Sequence, residues 1–147
     1  MKNILLIVFV FSAEVLFAQQ ADVRKTIDTF FAGLNTTDTV KIQTVCRKDI
    51  ILQSIQERAT GGVLSTESIQ EFYKSIGSVP KTVKIEERIL SHEIKVDGSM
   101  AHAWTPYEFY INGKLSHSGT NSFTFLKDNG EWKIVHIIDT RKPAAKK

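Results

Sequence analysis

Cysteine occurs once in the 147 residues, at position 46, so the chain closes no disulfide within itself and offers no paired-thiol centre. Cys46 ends an apolar-periodic stretch that begins at Val40, and it reads as a small buried hydrophobe rather than a nucleophile. Proline is also scarce, with three residues, and no Pro/Gly-rich linker, internal repeat or low-complexity run divides the chain. Excess charge of one sign is nearly absent. The net charge is +3, and Lys142, Lys146 and Lys147 at the C-terminus match that excess. A formally neutral body with a short basic tail excludes a nucleic-acid-binding surface, which rests on many clustered phosphate contacts. The four histidines show no short-range ligand spacing. A metal site needs several ligands that converge, so neither a metal nor another cofactor is expected.

Long hydrophobic runs are limited to one, Ile4 to Phe11, too short for a bilayer crossing that takes about 20 apolar residues. With Lys2 before it and the small residue Ala18 ahead of Gln19-Gln20, the run has the anatomy of a secretory signal peptide. The expected division is a leader over residues 1–18, one domain over 19–142 and a disordered basic tail over 143–147. The protein is then exported, periplasmic or secreted, with no stable membrane anchor after cleavage. No cysteine stands just after the leader to carry a lipid.

What is present is a change of period along the chain. Val23, Ile27, Phe30, Phe31 and Leu34 lie on one face of a helix, with Arg24, Lys25 and Asp28 opposite. Asn35-Thr36-Thr37 breaks that pattern and offers a cap for a second, short helix through Val40 and Val45. A β-prone run at Ile50–Leu52 and a turn at Gly61-Gly62 come next. Ser65-Thr66 with Glu67 and Ser68 then opens a third helix, whose apolar side is Ile69, Phe72, Tyr73 and Ile76. From Lys81 the period becomes 2. Hairpin signals at Asp97-Gly98, Asn112-Gly113 and Asp128-Asn129-Gly130 separate strands. Helices first and hairpin-linked strands after predict an α+β fold, with the helices packed on one face of an antiparallel sheet.

Strand parity then assigns faces. His117, Gly119, Asn121, Phe123 and Phe125 share one side, grading from polar to apolar in the manner of a pocket wall. Trp132, Ile134, His136 and Ile138 share a side in the last strand, which brings His136 beside that wall. Pro106 predicts a bulge or an edge, and a bulge there turns Trp104 with Tyr107 or Glu108 into the pocket as a stacking wall with one acceptor. The candidate ligand-binding residues are therefore Trp104, Tyr107, Glu108, His117, Asn121, Phe123 and His136. Asp139 and Arg141, two apart on one face, read as a structural pair or as a binding point for an acidic group. His92 and His102 read as surface or strand-edge residues.

Helices followed by long antiparallel strands ending in EWKIVHIIDTRK resemble the nuclear transport factor 2-like superfamily. The segment from Ala101 to Arg141, with Trp104-Thr105-Pro106-Tyr107-Glu108, His117 with Gly119, and Asp139-Thr140-Arg141, is similar to its small exported SnoaL-like and lumazine-binding members. The resemblance implies a cone: a strongly curved sheet and helices around an internal pocket, as in cystatin-like folds. It also implies a homodimer through the outer sheet face, to which Lys133, Val135 and Ile137 contribute. A flat aromatic or pteridine-like ligand follows from the lumazine label, not from any residue.

Fold alone does not give function, and three readings follow. A binding protein for a small molecule, without catalysis, needs only the aromatic wall and scattered polar groups. An acid–base enzyme of the ketosteroid-isomerase or polyketide-cyclase kind needs a base (Asp49, Glu108 or His117) facing a donor (Tyr107 or Tyr110). A dimeric interaction module would keep only a vestigial, collapsed pocket. No particular residue is singled out as catalytic.

Overall fold

In a computed structural model the chain is described over residues 2–144, with side chains from residue 17 onward. Helix α1 (Lys2–Asn35) and helix α2 (Thr39–Val45) lead into strands β1 (Cys46–Arg58) and β2 (Gly61–Glu67). Helix α3 (Ile69–Gly77) precedes β3 (Ile85–Ile89), β4 (Glu93–Asp97), β5 (Met100–Ile111), β6 (Lys114–Asp128) and β7 (Glu131–Pro143). Residues 1–16 of the expected leader fall outside the described side chains, and residues 145–147 of the expected tail fall outside the described residues.

The expected apolar face of α1 is the one buried: Val23, Ile27, Phe30, Phe31 and Leu34 all enter the core. Two boundaries differ from the sequence expectation. The cap of α2 is Asp38, whose side chain accepts from the Lys41 amide at 3.0 Å, not the Asn35–Thr37 stretch before it. Ser65, Thr66 and Glu67 belong to β2, and α3 begins one turn later, at a reciprocal capping box between Ser68 and Glu71.

The strands form one sheet in the order β2-β1-β7-β6-β5-β3, with β4 pairing β5 beyond the end of β3. Its two ends do not pair with each other, so the sheet curls without closing. Every neighbouring pair is antiparallel except β1 and β7, which run parallel. This mixed order departs from the all-antiparallel expectation. Hairpin signals reveal only sequential neighbours, whereas β1 reaches β7 across the whole intervening half of the chain. The hairpins themselves lie where expected. Asn112 and Gly113 both take positive φ, 50° and 75°, as do Asn129 and Gly130 at 50° and 86°, the primed-turn geometry that matches strand twist.

An unbroken ladder in β5 and a bulge in β7 set which side chains point inward. In β5 the pairing with β6 runs unbroken from Met100 to Phe109, so Pro106 makes no bulge. Its carbonyl accepts from the Leu90 amide at 2.8 Å, in the gap between the β3 and β4 pairings, where no strand asks for the amide hydrogen that proline lacks. The expected swap of parity is therefore absent. Ala101, Ala103, Thr105 and Tyr107 are buried, while Trp104 is 45% exposed. In β7, Phe125 pairs Ile134 and Thr124 pairs His136, leaving Val135 as an extra residue. That bulge reverses the alternation. Trp132 and Ile134 point into the core, but beyond the bulge it is Ile137 and Asp139 that do so.

Candidate functional site

Between the inner face of the sheet and helices α1 and α3 lies a cavity of about 440 Å³. One side is apolar: Phe30, Phe31 and Leu34 from α1, Phe72 and Ile76 from α3, with Leu52 and Ile137 from the sheet. The rings are locked to one another. Phe30 stacks on Phe72 at 6.1 Å between centroids, and Phe123 meets Phe30 and Phe31 edge-on at 6.0 and 5.9 Å from beneath. Such contacts fix ring orientation beyond what area burial alone does.

The other end is polar and is built from residues of five strands, β1, β3, β5, β6 and β7. In β3 the inward residues are Ile85, Glu87 and Ile89, while Glu86 and Arg88 pair outside at 3.0 Å. Glu87 is gripped twice by α1: Asn35 accepts from its backbone amide at 2.7 Å and donates to its carbonyl at 3.2 Å. From β6, Asn121 donates to Glu87 Oε1 at 2.8 Å. Desolvation pushes the Glu87 carboxyl up to about 7, with nearby Asp139 adding to the rise and the Asn121 hydrogen bond and Arg141 opposing it.

Asp139 is the hub of the remainder. It accepts from Tyr107 Oη at 2.9 Å, from Ser54 Oγ, and from Arg141 Nε at 2.8 Å. The Tyr107 hydroxyl also lies 3.0 Å from the Thr140 carbonyl. Burial, then the neighbouring Asp139 and Glu87, hold the Tyr107 phenol well above its usual range, so it stays neutral. His117 stacks on Phe109 at 4.8 Å and meets the Tyr107 ring edge-on at 5.8 Å. Its imidazole is held below its usual range, first by burial and then by Arg141.

Of the residues expected at the site, Tyr107, His117 and Asn121 line the cavity, whereas Phe123 does not: it is wholly buried in the core, packed edge-on against Phe30 and Phe31 of the wall. Trp104 and Glu108 do not, because the unbroken β5 ladder turns both to the outer face, where Glu108 accepts from Tyr110 Oη at 2.6 Å. His136 is likewise outside. The Val135 bulge turns it away from the cavity, and its Nε2 lies 3.1 Å from Gln53 Oε1. The same bulge turns Ile137, expected on the outer face, into the cavity wall. Asp49 is exposed and tied to Arg47 at 2.8 Å, which removes it as a base in the cavity. The His92 side chain is more buried than a surface residue, at 13% exposure.

Glu87 escaped the sequence reading. Its signal was present: a carboxylate flanked two residues either side by Ile85 and Ile89 shares their inward face. Asn35 and Ser54 carried no such signal, since only the packing of α1 on β3 and the parallel β1–β7 register bring them in.

The sequence matches the family described as putative lumazine-binding over residues 18–137, and the chain belongs to that family. Solved structures agree on the fold. A nuclear transport factor 2-like protein of unknown function from Shewanella baltica superposes with a TM-score of 0.64 at 16% identity, covering 87% of this chain and 97% of that one. The β subunit of a protein described as a putative aromatic-ring-hydroxylating dioxygenase, from Novosphingobium aromaticivorans, gives 0.71 at 12% identity, covering 90% and 95%. A protein described as a putative scytalone dehydratase from the same organism gives 0.68 at 9% identity, covering 88% of each chain. At these identities the likeness shows the nuclear transport factor 2-like fold alone. No curated protein matches the chain.

Proposed function

We propose that this protein is an exported binding protein that holds a small, partly flat organic molecule inside the sheet–helix cavity. The observation that carries the reading is the cavity itself. Its volume of about 440 Å³ falls within the roughly 300–1,000 Å³ usual for small-molecule sites, and an aromatic side faces a few converging polar groups. The flat body lies against Phe30, Phe72 and Phe109, and its polar edge meets Glu87, Asn121 and His117. An open, lined cavity argues against a vestigial pocket, which side chains would fill. The outer face, with Trp104 and Met100 exposed, suits pairing with a second copy.

Native mass spectrometry of the protein purified from its own host tests the reading. A retained aromatic or heteroaromatic compound is expected. A protein that arrives empty and stays empty against a library of such compounds contradicts it. His117→Ala removes one stacked ring from the wall and is expected to weaken retention by up to about tenfold, the worth of one good aromatic contact. A large fall in melting temperature would instead make His117 structural.

Export rests on the apolar run from Ile4 and on Ala18. N-terminal sequencing of the native protein is expected to begin at Gln19 or Gln20; a chain still carrying Met1 contradicts export by cleavage.

One observation favours acid–base chemistry as the second reading. A cavity carboxyl near 7, as at Glu87, is poised to exchange protons at neutral pH. The partner such chemistry needs is a free donor, and Tyr107 has already given its hydroxyl to Asp139 and the Thr140 carbonyl.

A further inference from the structure

The cavity wall holds more acid than base. Three carboxylate side chains line it, Glu67, Glu87 and Asp139, against a single guanidinium, Arg141. Arg141 is committed, with Nε and Nη2 at 2.8 and 3.5 Å from Asp139. His117, the remaining basic group on the wall, has its imidazole held below its usual range by burial and then by Arg141, which disfavours its charged form. Glu87 is therefore left facing the cavity with no ion-pair partner, Arg141 acting on it only from a distance. Among the described residues its Oε2 has no hydrogen-bond partner, while Oε1 takes one bond, from the neutral Asn121. A desolvated carboxylate in that position costs free energy unless a cation joins it. The apolar wall of Phe30, Phe72 and Ile76 stands across the same space.

We infer that the ligand is a cation, an ammonium or amidinium group on a flat apolar body, whose charged end pairs with Glu87 while the body lies on the phenylalanines. This rests on the binding reading above and specifies the class of molecule. The cation supplies the direct ion pair that Glu87 lacks, donates to its open oxygen, and restores the ionised form of the carboxylate.

A rival class is an anion at Arg141, and matched probes separate the two. Tryptamine, tryptophol and indole-3-propionate share one flat body and differ in carrying an ammonium, a hydroxyl or a carboxylate. Isothermal titration of the intact protein at pH 8 is expected to rank tryptamine tightest, by about tenfold over tryptophol, as for one charge-assisted hydrogen bond. Between pH 6 and pH 8 tryptamine keeps its charge while Glu87 ionises, so its affinity is expected to rise by up to about tenfold and that of tryptophol to stay level. The other groups facing Glu87 do not mimic this. Burial keeps Tyr107 neutral across the window, and a rise owed to His117 losing a proton would survive substitution of Glu87. Glu67 stands apart at the end of β2, so a rise owed to it would survive substitution of Glu87.

Glu87→Gln is expected to erase both the preference for tryptamine and its pH dependence. Should that variant fail to fold, the wild-type ranking and pH profile still decide. Tightest binding of indole-3-propionate would overturn the inference in favour of Arg141 as the recognition point. Equal binding of all three would overturn it and leave the binding reading standing. Binding of none would overturn both.

Discussion

Gly119→Ala is expected to lower the melting temperature by about 10 °C or more, or to leave the protein insoluble, because the substitution costs about 3 kcal/mol or more. The backbone of β6 at Gly119 lies so close to β7 that an added Cβ would stand 1.7 Å from the Thr140 carbonyl oxygen and 2.7 Å from its carbon. Neither can retreat cheaply. The Thr140 carbonyl receives the Tyr107 hydroxyl, and Thr140 Oγ1 accepts from the Thr120 amide at 3.1 Å. On the inner side the same Cβ would press on the Tyr107 ring at 3.0 Å. Displacing β7 here moves Asp139 and Arg141 as well, so any soluble Gly119→Ala protein is expected to lose ligand retention together with stability. Circular dichroism melts check the first point; an unchanged transition would mean that the two strands are not in this close contact.

Glu87→Gln is expected to act in the opposite direction on stability, and only above mildly acidic pH. The folded carboxyl lies at about 7 against an ordinary 4.5. Between those values the unfolded chain has released the proton that the folded chain keeps, so wild-type stability falls as pH rises through this window. Above it the full penalty applies, on the order of 3 kcal/mol for a shift of this size. Glutamine keeps the oxygen that accepts from Asn121 and carries no charge to desolvate. The variant is therefore expected to match wild type near pH 4.5 and to exceed it by about 10 °C at pH 8. Urea or thermal unfolding across that range reads the difference. A variant less stable than wild type at pH 8 would show that the ionised carboxylate is welcome in the empty cavity, which removes the argument for a cationic ligand.

Both predictions depend on residues whose placement was only partly legible in the sequence. The α1 face and the inward side of β6 from His117 to Phe125 could be read because nothing interrupts their period. The two hairpins at Asn112-Gly113 and Asn129-Gly130 announce themselves through residues that tolerate positive φ. The errors arose where parity depends on pairing. Pro106 suggested a bulge, yet the gap between β3 and β4 absorbs its missing amide, so Trp104 and Glu108 stay outside. Val135 gave no sign of a bulge, yet the β6 register requires one, and His136 exchanges faces with Ile137. The parallel pairing of β1 with β7, which brings Ser54 to Asp139, spans 85 residues and leaves no local trace. Thus the lining on one strand was readable, while the network drawn from five strands was a product of register.

On this reading the inner cavity, not the outer sheet face, is the binding surface. Amide chemical-shift mapping during titration with tryptamine tests it most directly. The largest shifts are expected at Glu87, Tyr107, His117, Asn121 and Asp139, with Trp104, Glu108 and His136 undisturbed. Shifts gathered at Trp104, Glu108 and His136, with the cavity residues silent, would contradict it.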